Sequence, residues 1–516
     1  MCIRDSNRTM NQATETTSVT APITWRKAGL LALTAVACFQ LAYTPAHSGL
    51  LAFAIVGYVI CLVQLARLRT TRQCFYVALA VGFACYAPQL GFFWNIFGAA
   101  AIALWLVLAL WIALFVVLTH LAIVMLGLKR AAFLTPFFWT GLEYFRSELY
   151  YLKFSWLNVG YAFADWTIVP WQFAGVFGIG FGIAGFAALS PALWRLLNRK
   201  LSLFELLFAL VILYGILAAL LFPSFARGKN KPLIPNLRLA GTQLEFPSEK
   251  QIQQSLETIL CAHQTQSATV EHEKTNGRFS NLEAALFIHH TNLDLVVLPE
   301  YTLDGEPTAA LKDWCRTNQK FLIVGGKQPL GDTNYYNTAF VVSTNGEVVF
   351  KQVKSVPIQF FKDGLPAPEQ KVWDSPWGKI GICICYDLSY TRVTDALVRQ
   401  GAQMLIVPTM DVENWGQHQH ELHARIAPVR AAEYGIPIFR VASSGISQGV
   451  EKTGRVQSSA PFPGEGETIF FGTHIGEKGS VPPDRLLATL SVFITVVFVF
   501  RTFAATLWRK RVKAEV

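Results

Sequence analysis

Apolar residues dominate the first 220 positions in long runs broken by short polar stretches, and the pattern changes character after that. Runs near 28–44, 49–66, 75–97, 99–126, 131–147, 171–194, 203–222 and 486–507 are each long enough to cross a hydrocarbon core of about 30 Å as a helix. About eight membrane spans are therefore expected. The fifth run is interrupted by Glu143 and Arg146, whose i, i+3 spacing puts both on one helical face, where they are expected to pair. From 224 to 485 short β-rich runs (237–239, 293–298, 321–324, 339–342, 380–384, 404–407) alternate with helical stretches such as 280–290 and 420–434. The strand cores are apolar at consecutive positions, so both faces must be covered. Two packed sheets with helices outside, a four-layer α-β-β-α sandwich, satisfy that burial and place chemistry at strand ends.

These patterns divide the chain into a leader and cytoplasmic segment (1–27), seven transmembrane helices (28–222), an α/β domain (224–485), an eighth helix (486–507) and a basic tail (508–516). The opening six residues are polar and precede a second methionine, Met10, which is the preferred start. The first apolar run lacks a small-residue cleavage site and reads as a retained helix rather than a removed signal.

Composition agrees with a membrane protein: 52% of the 516 residues are hydrophobic, only 15% are charged, and mean hydropathy is +0.35. The net charge of +10 does not point to nucleic acid, because Lys and Arg sit mostly at the ends of apolar runs. Five clusters, Arg26/Lys27, Arg67/Arg69/Arg72, Lys129/Arg130, Arg195/Arg199/Lys200 and Arg509/Lys510/Arg511/Lys513, fall on the same side of successive spans. Positive residues favour the cytoplasm, so the 224–485 domain is expected on the opposite face. Nine cysteines occur without a regular framework, and no disulfide scaffold is readable.

Three segments of that domain place a chemically able side chain just after an apolar strand: VVLPEYT with Glu300, FKQVKSVP with Lys351 and Lys354, and GICICYD with Cys385. An acyl-transferring cysteine needs a base for its proton and a cation for the oxyanion, so a Glu–Lys–Cys set suffices without metal or cofactor. Each segment alone is weak, since a glutamate or lysine after a strand is usually solvated and a cysteine in GICIC usually packs in a core. Cys383 and Cys385 share one strand face by period two, and a disulfide between them would be strained. Further metal ligands at plausible spacing are absent from their surroundings.

Order and context of the three segments resemble the nitrilase superfamily, whose Glu, Lys and Cys occur in that order. WTGLEYFRSELYYLKFSWLNVGYAF, from Trp139, and VGFACYAPQLGFFW narrow the likeness to bacterial apolipoprotein N-acyltransferases, over about residues 29 to 507. The resemblance implies Glu300 as general base and Cys385, in Cys385-Tyr386-Asp387, as nucleophile, with Cys383 left to core packing. Lys354 suits the superfamily interval from the Gly346-Glu347 turn, and Lys351 remains as the other register. PTMDVENWGQHQHELHARIAPVRAAE aligns Asp411, Trp415, His420, Arg430 and Glu433 with family positions, the last two supporting the site from behind. RVASSGIS, from Arg440, matches a further family stretch.

Two departures stand out. Where the family has Val-Pro-Phe-Gly-Glu, this chain has Val356-Pro357-Ile358-Gln359-Phe360, without the acid that assists near the lysine, and Asp363 is the candidate substitute. Asp387 replaces a glutamate after Cys-Tyr. The implied reaction takes an acyl chain from a phospholipid as a Cys385 thioester and passes it to the α-amino group of a diacylglyceryl-cysteine lipoprotein. A backbone N–H near Tyr386 would join Lys354 at the oxyanion, and the Phe360/Phe361 loop would admit amphiphiles beside the site. No cofactor is required, and a monomer in the bacterial inner membrane with its domain on the periplasmic side is expected. The alternatives are a membrane-anchored amidase with the same triad and an inactive membrane scaffold.

Overall fold

The computed structural model describes residues 22–44, 49–197, 235–275, 293–464 and 466–514. Helices occupy Trp25–Tyr43, Ala54–Leu65, Thr71–Gln89, Ala100–Leu126, Leu128–Tyr144 and Trp171–Leu197, with another at Asp484–Ala514. Of these, Ala100–Leu126, Trp171–Ser190 and Asp484–Trp508 are long and apolar enough to cross a membrane, and Gly49–Leu65 is a shorter apolar helix. The expected count of about eight is therefore corrected to three among the described residues, and the run at 203–222 lies outside them. Local chemistry accounts for the difference. The run expected at 75–97 splits one residue after Pro88 into Thr71–Gln89 and the six-residue Phe92–Phe97. Leu128–Tyr144 carries Lys129, Arg130 and Glu143. Leu33, Phe133, Phe173 and Leu486 nevertheless stand at least 70% exposed, an outer surface that water disfavours.

Glu143 and Arg146 do not pair as expected. The helix ends at Tyr144 and a π turn, Phe145–Leu149, follows, so the regular i, i+3 spacing on which the pairing relied does not hold. Glu143 Oε1 instead accepts from the Val159 N–H (2.9 Å), and Arg146 Nη2 donates to Asn158 Oδ1 (2.5 Å). Both close on the same turn.

The second half is the expected sandwich. One sheet has the order β12-β1-β2-β3-β4-β5 and the other β11-β10-β9-β8-β7-β6. The first contains β1 (Leu237–Thr242), β2 (Leu295–Val297), β3 (Phe321–Leu330), β4 (Asn334–Val342), β5 (Val348–Val353) and β12 (Thr468–Thr473). The second contains β6 (Val372–Ser375), β7 (Gly378–Ile382), β8 (Met404–Thr409), β9 (Ile438–Ala442), β10 (Ser447–Val450) and β11 (Val456–Ala460). In each, three central strands run parallel (β1, β2, β3; β7, β8, β9) between antiparallel neighbours.

Strand alternation builds the layers. Leu295, Val297, Ile323, Ile380, Ile382, Met404 and Ile406 meet between the sheets, while Val296, Leu298, Leu322 and Val324 turn outward beneath helices Glu249–Thr275 and Ala309–Asn318. The outer face of the second sheet, including Leu405 and Val407, shares one apolar cluster with Leu422, Ile426 and Val429 and with the membrane-type helices. The helical stretch expected at 420–434 is two helices, Gln417–Ala424 and Ile426–Tyr434, and that expected at 280–290 lies outside the described residues.

Polar contacts join this face to the helical half. Glu148 Oε1 accepts from the Thr391 N–H (2.8 Å), and Trp156 Nε1 donates to Ser389 Oγ (2.9 Å). Glu433 Oε1 accepts from the Val176 N–H (2.7 Å), where the helix Trp171–Leu197 is broken at Gly175, and Arg485 Nη2 donates to Glu433 Oε2 (3.0 Å). The orphan N–H groups of that helix restart thus receive a carboxylate from the neighbouring domain.

Candidate active site

The C-terminal ends of β2, β7 and β8 converge at one edge of the sandwich, where parallel strands deliver Glu300, Cys385 and Asp411 from three different loops. Cys385 opens the short 3-10 turn Cys385–Ser389 with φ of +51°, and Tyr301, next to Glu300, has φ of +55°. A left-handed backbone is costly for a residue with a Cβ, so the surrounding contacts must hold both turns. At Gly325 a Cβ would lie 2.5 Å from Glu300 Cα, so only glycine lets β3 pass this close beneath the glutamate.

The positive φ also corrects the pairing of Cys383 with Cys385. Alternation runs on past the end of β7 through Cys383 (outward) and Ile384 (between the sheets) and fails only at Cys385, where φ turns positive. Cys383 packs outward with Leu388, Leu405 and Ile426, whereas Cys385 belongs to the cluster between the sheets.

Lys354 follows β5 and is fully buried. Its Nζ lies 2.8 Å from Glu300 Oε1 and 2.8 Å from Asp363 Oδ2. Lys351 instead reaches Glu306 (2.8 Å) at the surface, so the two lysines left open by the sequence occupy different environments. Asn337 Nδ2 bridges Glu300 Oε1 (2.6 Å) and Asp363 Oδ1 (2.9 Å), and the Met410 N–H donates to Glu300 Oε2 (2.8 Å). Asp363 is further held by Tyr301 Oη (2.8 Å) and the Ile358 N–H (2.7 Å). Asp363 thus brings a carboxylate to Lys354, while Phe360 occupies the position of the family's glutamate. Gln359 turns away, its Nε2 donating to Tyr151 O.

Cys385 Sγ lies 3.5 Å from Met410 O. Burial pushes this thiol well above its ordinary range, and Glu300 adds to the effect while Lys354 opposes it. The thiol is thus held neutral, and to act as a nucleophile it would need a base. Burial also raises the Glu300 carboxyl, against the pull of Lys354, which makes it a stronger proton acceptor than a surface carboxylate. Burial would lower the Lys354 ammonium, but Asp363 and Glu300 raise it well above its usual value, so it stays charged.

Asp387 lies behind Cys385. It accepts from the N–H groups of Ser355 (3.0 Å), Val356 (2.7 Å) and Ile384 (3.2 Å), tying the loop after Lys354 to the Cys385 turn. Burial pushes its carboxyl up to about 6 against those donors. Asp387→Asn would aim an amide NH2 at N–H donors. It is expected to cost about 1–3 kcal/mol of stability and to slow acylation of Cys385 by roughly 10- to 100-fold through misplacement. Unchanged melting temperature and acylation rate would remove this role.

Arg430 Nε and Nη2 donate to the carbonyls of Leu388 (3.2 Å) and Ser389 (3.0 Å), and Nη1 pairs with Glu433 (2.5 Å), so Arg430, held by Glu433, supports the Cys385–Ser389 turn from behind. Tyr386 Oη donates to Lys153 O (3.0 Å). His420 stacks on Phe462 at 4.1 Å. The histidine beside Cys385 is His423, three residues on, with Nδ1 2.8 Å from Asp411 Oδ1. Helical spacing puts both histidines on one face, but the motif had pointed to His420 and not to His423. Asn337 has no motif of its own and was not anticipated.

A cavity of about 110 Å³ opens at Cys385. Phe92, Phe93, Phe97 and Leu108 from the helical half line one side, Phe360, Phe361 and Trp415 from the catalytic half another, and Tyr386, Asp411 and His423 the inner end. Phe97 touches both Phe360 (6.1 Å between rings) and Phe361 (5.8 Å), so the two halves share the wall. Cys385, Asp411 and His423 are ligand types for a metal ion and lie within 4.8 Å of one another, but Arg440 pairs with Asp411 and opposes a second cation there.

The family model described as "Apolipoprotein N-acyltransferase N-terminal domain" matches residues 35–189, and that described as "Carbon-nitrogen hydrolase" matches residues 259–469. The chain is 29% identical over 172 residues to the deaminated glutathione amidase of Dictyostelium discoideum, covering 29% of this chain and 59% of that protein. It is 24% identical over 371 residues to an apolipoprotein N-acyltransferase of Geobacter metallireducens (63% and 65%). It is 22% identical over 442 residues to one of Shewanella oneidensis (75% and 79%). The first two alignments thus span less than two thirds of the relatives' length, at 59% and 65%.

Proposed function

Because the chain belongs to the apolipoprotein N-acyltransferase family, we propose that it moves an acyl chain from a phospholipid to the α-amino group of a diacylglyceryl-cysteine lipoprotein, through a thioester on Cys385. The observation that carries this reading is the shared cavity: an apolar wall built jointly by the helical half and the Phe360/Phe361 loop ends at a buried thiol beside a Glu–Lys pair. Both substrates are amphiphiles, and such a cavity takes their chains while leaving the reacting carbonyl at the polar end.

In the first half-reaction Glu300 takes the thiol proton as sulfur attacks the ester carbonyl. Lys354, with a backbone N–H near Tyr386, stabilises the oxyanion, and the proton passes to the departing lyso-lipid oxygen. The amine then attacks the thioester and restores the thiol, a ping-pong sequence. The topology that suits this chemistry is a multi-pass protein of the bacterial inner membrane, with residues 224–485 on the extracytoplasmic side.

A two-stage measurement tests the proposal. With phospholipid alone, the protein should accumulate a hydroxylamine-sensitive acyl adduct on Cys385, because the apolar site places water poorly for attack. A diacylated lipopeptide with a free N-terminus should discharge it as an amide, and the same lipopeptide with a blocked N-terminus should not. Free fatty acid released at one rate with or without lipopeptide would make this a hydrolase.

A further inference from the structure

Glu300 is heavily committed. Its Oε1 receives Lys354 Nζ and Asn337 Nδ2 and its Oε2 the Met410 N–H, an arrangement suited to a proton that starts on the nearby thiol. The second half-reaction moves a different proton, one carried by the incoming amine. A second acid–base pair lies beside the same sulfur: Cys385 Sγ, a carboxylate oxygen of Asp411 and a ring nitrogen of His423 are all within 4.8 Å of one another, and all three residues are buried.

The contacts of the pair define its protonation. Asp411 Oδ1 accepts from His423 Nδ1 at 2.8 Å, and Arg440 Nη2 pairs with Asp411 Oδ2. An ionised carboxylate can only accept, so its 2.8 Å contact places the proton on Nδ1, and Arg440 Nη2, 3.1 Å from the same nitrogen, donates to Asp411. Nε2 therefore carries the lone pair. It is buried and has no hydrogen-bond partner among the described residues, and His423 lines the cavity that ends at Cys385. Trp156 stacks on the imidazole at 4.6 Å and 14°, fixing its plane. Burial lowers the imidazole below its usual range while Asp411 opposes the shift, and Asp411 stays ionised although burial works against it, because His423 and Arg440 hold it down.

We propose that His423, oriented by Asp411, is the base for the acceptor amine, leaving Glu300 and Lys354 to serve the thiol. The inference rests on the acyl-transfer reading above. As the amine nitrogen forms its bond to the thioester carbon, one N–H proton passes to Nε2, and the imidazolium is stabilised by Asp411. Collapse of the tetrahedral adduct breaks the C–S bond, the electron pair leaves on sulfur, and the imidazolium returns the proton to give amide and free thiol. A neutral Nε2 has no proton to give an oxyanion, so the pair cannot substitute for Lys354.

The test uses the full chain in detergent or nanodiscs, with acylation by labelled phospholipid and discharge by lipopeptide timed separately. His423→Gln should discharge the thioester at least about 10²-fold more slowly, a loss at least about tenfold greater than any loss in thioester formation. In the parent, discharge should rise with pH through an imidazole titration shaped by the groups facing His423, namely Asp411, Arg440, His420 and Cys385, and His423→Gln should lose that inflection. Discharge by His423→Gln within threefold, a parallel loss of both half-reactions, or parent discharge without a titration would each overturn the assignment. A parent protein that forms no thioester, or loses it equally to water, would defeat the acyl-transfer reading itself.

Discussion

Cys385→Ala is expected to abolish both the acyl adduct and lipopeptide acylation, a loss of at least about 10⁴-fold, because no other group can carry the acyl chain between donor and acceptor. Cys383→Ala should keep activity within a few-fold and lose on the order of 1 kcal/mol of stability, the usual cost of a small cavity in a core. The difference follows from the turn at Cys385. There the backbone leaves the β7 line, sending one sulfur toward Glu300 and the other into the layer of Leu388 and Ile426. Intact-mass measurement of the acylated protein, with melting curves for both variants, reads this directly. An active Cys385→Ala beside an inactive Cys383→Ala would reverse the assignment.

Lys354→Ala is expected to reduce acylation by roughly 10²- to 10³-fold through loss of the oxyanion contact, and to destabilise the fold by about 3–5 kcal/mol. The second effect has a separate cause. Lys354 is the cation paired with two buried carboxylates, Glu300 and Asp363, and its removal leaves them facing each other across Asn337. Lys351→Ala breaks only a partly exposed pair with Glu306, worth less than about 1 kcal/mol, and should leave acylation unchanged. Chemical denaturation and single-turnover acylation separate the two quantities. Equal losses in the two variants would mean that the lysine at the site has been misassigned.

Much of the protein was legible in its sequence. Consecutive apolar residues at 295–298 and 404–407 required a sheet covered on both faces, and alternation then assigned each side chain to a layer. Glu300, Lys354 and Cys385 each follow a strand, a local relation that sequence order preserves, whereas Lys351, expected there too, lies within β5. The family likeness was also carried by contiguous motifs. The paired sheets and both family models agree with that part of the expectation.

Other features depended on parts of the chain that only folding brings together. Lys354 could not be separated from Lys351 by spacing, because the distinction is burial against Glu300 and Asp363, which come from two other loops. Asp363 could be suggested as the missing acid, yet its role depends on how the 356–363 loop folds back over Lys354. His423, one helical turn after His420, was not named from sequence; both rings face Asp411, and the stack on Trp156 and the cavity at Cys385 distinguish His423. The Cys383/Cys385 facing failed for a related reason: period two holds only while backbone dihedrals stay extended, and Cys385 is held at φ of +51° by contacts remote in sequence. Sequence pattern determined which residues had to be buried and which carried chemistry. Tertiary structure decided which of them met, because hydrogen bonds and ion pairs between loops depend on distances in space that periodicity along a single strand or helix does not encode.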